Sequence, residues 1–222
     1  MKLYVVATPI GNLEDITPRA RGILSCVPLV FAEDTRVTAK LLAHIGATPS
    51  VMSLHHHSTS REMDRAAMAL QEAGTAALVS DAGTPGISDP GNLFIAELLR
   101  RGVELTISPI PGPSSITAAL SLCGFPTDRF RALGFAPHKN KRNKFFDEVA
   151  ATKETVVLLE SVHRIKKTLA DLARVCGDRP MMVGRELTKI HETVYRGSAS
   201  EIDEQLLKTE TRGEFVIVIS SL

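Results

Sequence analysis

The sequence predicts an α/β protein made of two successive α/β domains. Short, β-rich apolar runs alternate with amphipathic helical stretches along the 222 residues, the pattern of strands that need helices to cover them. The alternation breaks at Gly124-Phe125-Pro126-Thr127-Asp128 and then restarts, which divides the chain into 1–123 and 124–222. In the first unit, three expected strands run at their carboxyl ends into Gly/Pro-rich loops, the place where open parallel sheets bind ligands.

Lys2 to Ala7 is a buried-strand run that breaks at Thr8-Pro9-Ile10-Gly11-Asn12. Thr17-Pro18 reads as an N-cap with proline at the first helical position, opening a helix to Cys26. A strand at Leu29 to Ala32, a helix from Thr35 to Ile45 closed by Gly46, and a strand at Val51 to Leu54 follow. Ser60 to Ala73 is amphipathic and ends at Gly74, before a strand at Thr75 to Val79 and the loop Ser80 to Gly91. A strand at Val103 to Ile107 and a helix from Ser114 to Leu122 complete the first unit. The second unit offers strands at Phe130 to Phe135, Thr155 to Glu160, Met181 to Gly184, Thr193 to Arg196 and Glu214 to Ser220. Helices are expected at Lys141 to Ala150, Ser161 to Cys176 and Ser200 to Leu207.

Composition narrows the function classes. No apolar run approaches the roughly 20 residues of a membrane span, and the N-terminus lacks a basic region followed by an apolar stretch, so a cytoplasmic protein is expected. Cys26, Cys123 and Cys176 are odd in number and widely spaced, which suggests neither a disulfide framework nor a metal site. The formal charge of +1 confines any nucleic-acid contact to local patches.

The segment Asp81-Ala82-Gly83-Thr84-Pro85-Gly86-Ile87-Ser88-Asp89-Pro90-Gly91 concentrates glycines, prolines and carboxylates at one strand end. Glycine lets backbone approach a ligand and proline fixes the loop's shape. Its glycine spacing does not fit the dinucleotide fingerprint, and no phosphate-binding G-x-x-x-x-G-K-[ST] occurs. From the residues alone it is a ligand cradle or a tight structural loop.

This segment resembles the signature of the RsmI family of ribosomal RNA ribose methyltransferases. It is accompanied in order by Thr8-Pro9-Ile10-Gly11-Asn12-Leu13, Ala32-Glu33-Asp34-Thr35-Arg36, Pro111-Gly112-Pro113-Ser114, Glu160-Ser161-Val162-His163-Arg164, Gly184-Arg185-Glu186-Leu187-Thr188-Lys189 and Gly213-Glu214, blocks that span almost the whole chain. The family lies within the tetrapyrrole methylase superfamily. The resemblance implies two α/β domains with S-adenosylmethionine in the cleft between them, a homodimer, and methylation of a cytidine ribose 2′-hydroxyl in small-subunit (16S) ribosomal RNA, free or in the 30S subunit. It places cofactor contacts at Pro9, Asp81, Ala82, Gly83, Thr84, Ile87, Ser88, Ser114 and Ser115, and at Glu160, Leu187, Gly213 and Glu214 in the second unit. Thr84 stands where the superfamily's Gly-Asp-Pro loop has its acid, which leaves open whether Asp81 or Asp89 takes up a polar contact. Family members carry a further helical segment after the last strand, whereas this sequence stops at Leu222.

Methyl transfer to a weakly nucleophilic hydroxyl benefits from a general base or a cation near the developing alkoxide. Asp34 or Glu33 is the expected base and Arg36 the phosphate holder; the competing reading has these residues cap a helix and pair with one another. His55-His56-His57 invites a metal reading, but consecutive histidines on a strand point to opposite faces, and no metal is expected; His55 is kept as an RNA contact. The run from His138 to Lys144 is the densest basic segment. Lys139, Lys141, Arg142 and Lys144, with Arg164, are candidate phosphate contacts. Two other readings are a superfamily methyltransferase acting on a tetrapyrrole or another small molecule, and a cofactor-binding RNA module without catalysis.

Overall fold

A computed structural model describes residues 1–55, 58–208 and 212–222. The chain forms two compact units, Met1–Ser114 and Ser115–Leu222. Among the described residues no helix is long and apolar enough to cross a membrane.

The first unit is a five-stranded, fully parallel sheet of order β3-β2-β4-β1-β5. Its strands are β1 (Lys2–Val6), β2 (Leu29–Ala32), β3 (Ser50–Ser53), β4 (Thr75–Val79) and β5 (Thr106–Ile110). Helices α1 (Pro18–Cys26), α2 (Thr35–Ile45), α3 (Ser60–Ala73) and α4 (Gly91–Arg100) alternate with them. The side-chain period of two sorts each strand onto two cores. Val30, Ala32, Ala77 and Val79 pack with Leu24 of α1 and Leu41 and Leu42 of α2. Leu29, Phe31, Ala76 and Leu78 pack with Leu70 of α3 and Phe94 and Leu98 of α4. With both faces covered, the central strands need apolar residues throughout, which is why they read as continuous apolar runs.

The helix starts follow their local chemistry. Thr17 accepts from Ala20 N–H at 3.1 Å, and Thr59 with Glu62 forms a reciprocal capping box. Gly46 ends α2 at φ 70°, where a Cβ would be penalised. The sequence pattern predicts no helix at α4, although Gly91, Phe94 and Leu98 share its buried face at helical spacing. It also places β5 too early. The strand is Thr106–Ile110 rather than Val103 to Ile107 and includes Pro109, tolerated because β5 pairs only with β1, at the sheet edge.

The second unit has a mixed sheet of order β6-β7-β10-β8-β9. These strands are β6 (Phe130–Phe135), β7 (Thr155–Ser161), β8 (Met181–Arg185), β9 (Thr193–Gly197) and β10 (Glu214–Ile219). Only β6 and β7 run parallel; β10 is antiparallel to β7 and β8, and β8 to β9. One face carries α6 (Arg142–Ala151), α7 (Ile165–Cys176) and α8 (Ala199–Leu207) around Phe146, Leu169, Ile202, Phe215 and Ile217. Helix α5 (Ser115–Cys123) packs with β10 and β8, and Arg196 of β9 donates to the carbonyls of Leu122 and Cys123 at its end. The units therefore divide at Ser114/Ser115, ahead of the Gly124 loop at which the sequence pattern restarts. Helix α7 begins at Ile165 rather than Ser161, because Ser161 to Arg164 form a turn closed by Arg164 N–H on the Ser161 carbonyl at 3.0 Å.

Candidate functional site

In the first unit three loops converge beyond the carboxyl ends of β1, β4 and β5. Thr8 and Gly83 exchange backbone hydrogen bonds of 2.9 and 3.0 Å, and the Thr8 hydroxyl donates to the Ser80 carbonyl at 3.1 Å. A Cβ on Gly83 would lie 3.5 Å from Ile10 Cγ2 and 3.7 Å from the Pro113 carbonyl oxygen, so glycine sits where the three loops meet at φ 81°. Asp89 closes the β4 loop on itself, accepting from Gly86 N–H at 2.8 Å and from Gly91 N–H at 2.8 Å. A Cβ on Gly91 would fall 2.9 Å from the same carboxylate. Asp89 is thus a clamp within the loop, while Ala82, Ile87 and Ser88 are exposed on it and Ser88 holds a left-handed φ of 67°. Pro9 is buried, and Thr84, Ser114 and Ser115 are half-buried. Thr8, which sequence reasoning did not single out as a site residue, acts through long-range pairing that no local pattern announces.

The acids beside these loops differ in their engagement. Asp34 is the N-cap of α2, accepting from Arg36 N–H at 2.8 Å, and it is gripped by the Arg36 guanidinium at 2.6 and 3.0 Å. The guanidinium hydrogen bonds and the backbone amide lower its pKa to about 2. Both halves of the capping-and-pairing reading hold for Asp34, and its carboxylate is correspondingly a weak base. Glu33 is half-buried and lines a small cavity with His55, Leu78, Asp89 and Phe94. Asp81 is exposed and accepts the Asp34 backbone N–H at 2.9 Å through Oδ1. Desolvation by the surrounding loop pushes its pKa up, against that hydrogen bond.

In the second unit, Glu160 is the penultimate residue of β7, with its side chain fully buried. It accepts from Ser161 N–H at 2.8 Å and the Thr168 hydroxyl at 2.7 Å, and pairs with Arg164 at 2.9 Å. Any ligand contact there falls to the backbone. Leu187 is buried over Gly184, where a Cβ would come within 2.8 Å of it. Glu186, at φ 51°, accepts from Glu214 N–H at 2.9 Å and from Lys189 Nζ at 2.9 Å, and Lys189 also reaches Glu214 at 3.0 Å. Gly213, at φ 117°, lies so close to Glu186 that a Cβ would sit 2.5 Å from its Cγ.

The basic candidates separate by burial. Lys139, Lys141 and Lys144 are exposed. Arg142 is not: it is 5% exposed, pairs with Asp171 at 2.8 Å, donates to the Pro137 carbonyl and Thr168, and stacks over Phe146. Arg164 is mostly buried on Glu160 and donates to the Ala136 carbonyl at 2.8 Å. Both are corrected from candidate phosphate contacts to interior residues, because buried guanidiniums need fixed acceptors. His55 is half-buried, and His56 and His57 lie outside the described residues. Among the described residues no group of three or more His, Cys, Asp or Glu side chains is placed to hold a metal ion.

The profile of the tetrapyrrole (corrin/porphyrin) methylases matches residues 2–203. Ribosomal RNA small subunit methyltransferase I of Xylella fastidiosa is 44% identical over 98% of this chain and 80% of its own length. The protein of that name from Thermotoga maritima is 38% identical over 99% and 98%, and that from Escherichia coli O157:H7 is 40% identical over 98% and 77%. The chain belongs to the RsmI family of the tetrapyrrole methylases. Solved structures agree with the fold of this RsmI-family chain. Uroporphyrin-III C-methyltransferase from Thermus thermophilus, complexed with S-adenosyl homocysteine, superposes with a TM-score of 0.68 at 20% identity, covering 98% of this chain and 97% of that one. Diphthine synthase gives 0.74 at 15% identity over 99% and 89%.

Proposed function

We propose that this RsmI-family chain is an S-adenosylmethionine-dependent methyltransferase that methylates the ribose 2′-hydroxyl of a cytidine in small-subunit (16S) ribosomal RNA, acting in the cytoplasm as a homodimer. Near-full-length identity of 38–44% to proteins named ribosomal RNA small subunit methyltransferase I carries this reading. The first-unit loop suits the cofactor. It is pinned by the Thr8–Gly83 backbone pair and by the Asp89 carboxylate, exposes Ala82, Ile87 and Ser88, and leaves Ile87 55% exposed as apolar surface for a flat ring. S-adenosylmethionine supplies an electrophilic methyl group. The chain's own contribution is to orient it, exclude water and manage the hydroxyl proton.

Proposed cofactor contacts on the first unit are Pro9, the Asp81 backbone, Ala82, Gly83, Thr84, Ile87, Ser88 and Ser114. On the second they are Ser115, Leu187, Gly213, Glu214 and the Glu160 backbone. Lys139, Lys141 and Lys144, with His55, are the proposed RNA contacts. The test is transfer of tritium from labelled S-adenosylmethionine to small ribosomal subunits lacking the modification. Label at a cytidine 2′-oxygen is the expected result; label only in a small molecule, or none, overturns it. Light scattering of the purified chain tests the dimer.

A further inference from the structure

Four carboxylates, Glu33, Asp34, Asp81 and Asp89, stand beyond the carboxyl ends of β2 and β4, and a methyltransferase acting on a hydroxyl can use one as base. Three are committed. Asp34 gives both oxygens to the Arg36 guanidinium, Asp89 gives its oxygens to the amides of Gly86 and Gly91, and Glu33 faces the cavity under the β4 loop with Leu78 and Phe94. Asp81 is exposed and uses one oxygen, Oδ1, on the Asp34 amide; its Oδ2 has no hydrogen-bond partner among the described residues. That single bond fixes the carboxylate's orientation while leaving an oxygen open to solvent.

We infer that Asp81 is the general base for the acceptor hydroxyl, with Asp34 and Arg36 as positioning residues. The inference rests on the methyltransferase reading above. In the step it assigns, the ribose oxygen forms a bond to the methyl carbon as the carbon–sulfur bond breaks. The electron pair of that bond stays on sulfur, giving neutral S-adenosylhomocysteine, and the hydroxyl proton passes to Asp81 Oδ2. The raised pKa of Asp81 strengthens it for this role. The charged groups that face it are Asp34 and Arg36 from the β2–α2 turn and Asp89 from its own loop. Arg36 is also placed to hold the phosphate beside the reacting ribose, since its side chain is 87% exposed.

Asp81→Asn separates this from a role in cofactor binding, because the amide keeps an acceptor at Oδ1 for the Asp34 amide. Wild type, Asp81→Asn and Asp34→Asn are compared for S-adenosylmethionine and RNA affinity, for kcat in methyl transfer to small subunits, and for the pH profile of kcat. For Asp81→Asn, kcat should fall roughly 10²- to 10⁴-fold, both affinities should stay within about threefold, and the acid limb of the wild-type profile should disappear. Asp34→Asn should lower kcat less and keep that limb. If Asp81→Asn keeps kcat within about threefold of wild type, or loses cofactor affinity in step with kcat, Asp81 is not the base. If the wild type itself transfers no methyl group to ribose, the functional reading fails, and this inference with it.

Discussion

Asp34 and Asp81 share one hydrogen bond, yet their acidities move in opposite directions. The Arg36 guanidinium lowers Asp34 to about 2, from an ordinary 3.8, so its stabilising contribution is complete above the unfolded value and is lost as pH falls from about 4 through 2. Acid titration of wild type and Asp34→Asn should show the two converging over that interval, with wild type the more stable at neutral pH. The sequence made this cluster legible as acids and a guanidinium entering a helix. It could not say which acid Arg36 takes, because the partner is chosen by side-chain geometry. The same holds for the basic run. Lys144 and Arg142 look equivalent in sequence, but Arg142 is buried on Asp171 and Thr168. Arg142→Ala should cost about 3–5 kcal/mol by stranding buried partners, measurable by urea denaturation. Lys139→Glu/Lys144→Glu should leave stability nearly unchanged, weaken RNA binding, and flatten its salt dependence.

Most elements were legible because their ends carry chemistry. The Thr17-Pro18 start and the Gly46 and Gly74 stops appear where the sequence puts them. Helix α4 is not legible because it starts at Gly91, directly after Pro90, and has no side-chain cap, so the loop's composition masks its first turn. The edge strand β5 was displaced for a related reason, since Pro109 argues against a strand unless its edge position is known. In the second unit, Ser198 and Glu201 form a capping box at the start of α8, whose Ile202 and Leu206 enter the core. Ser198→Ala should therefore cost about 1 kcal/mol, read as a lower denaturation midpoint with an unchanged slope.

Two α/β units were evident in the whole sequence, but not that one sheet is fully parallel and the other mixed. Strand direction depends on which neighbour a strand joins, and β10 pairs between β7 and β8 across long stretches of chain. S-adenosylmethionine at 100 times its Kd should add about 2.7 kcal/mol to the stability of the chain that binds it. That corresponds to roughly 5–10 °C in Tm for a chain of this size, and scanning calorimetry with and without the cofactor checks it. The loop that would receive the ligand is already stapled, by the Thr8–Gly83 pair and by Asp89 on Gly86 and Gly91. A ligand arriving there finds its backbone already frozen, so little chain entropy is left to lose. Titration calorimetry should then record a heat-capacity change no larger than the covered apolar surface requires, without the excess that marks folding upon binding.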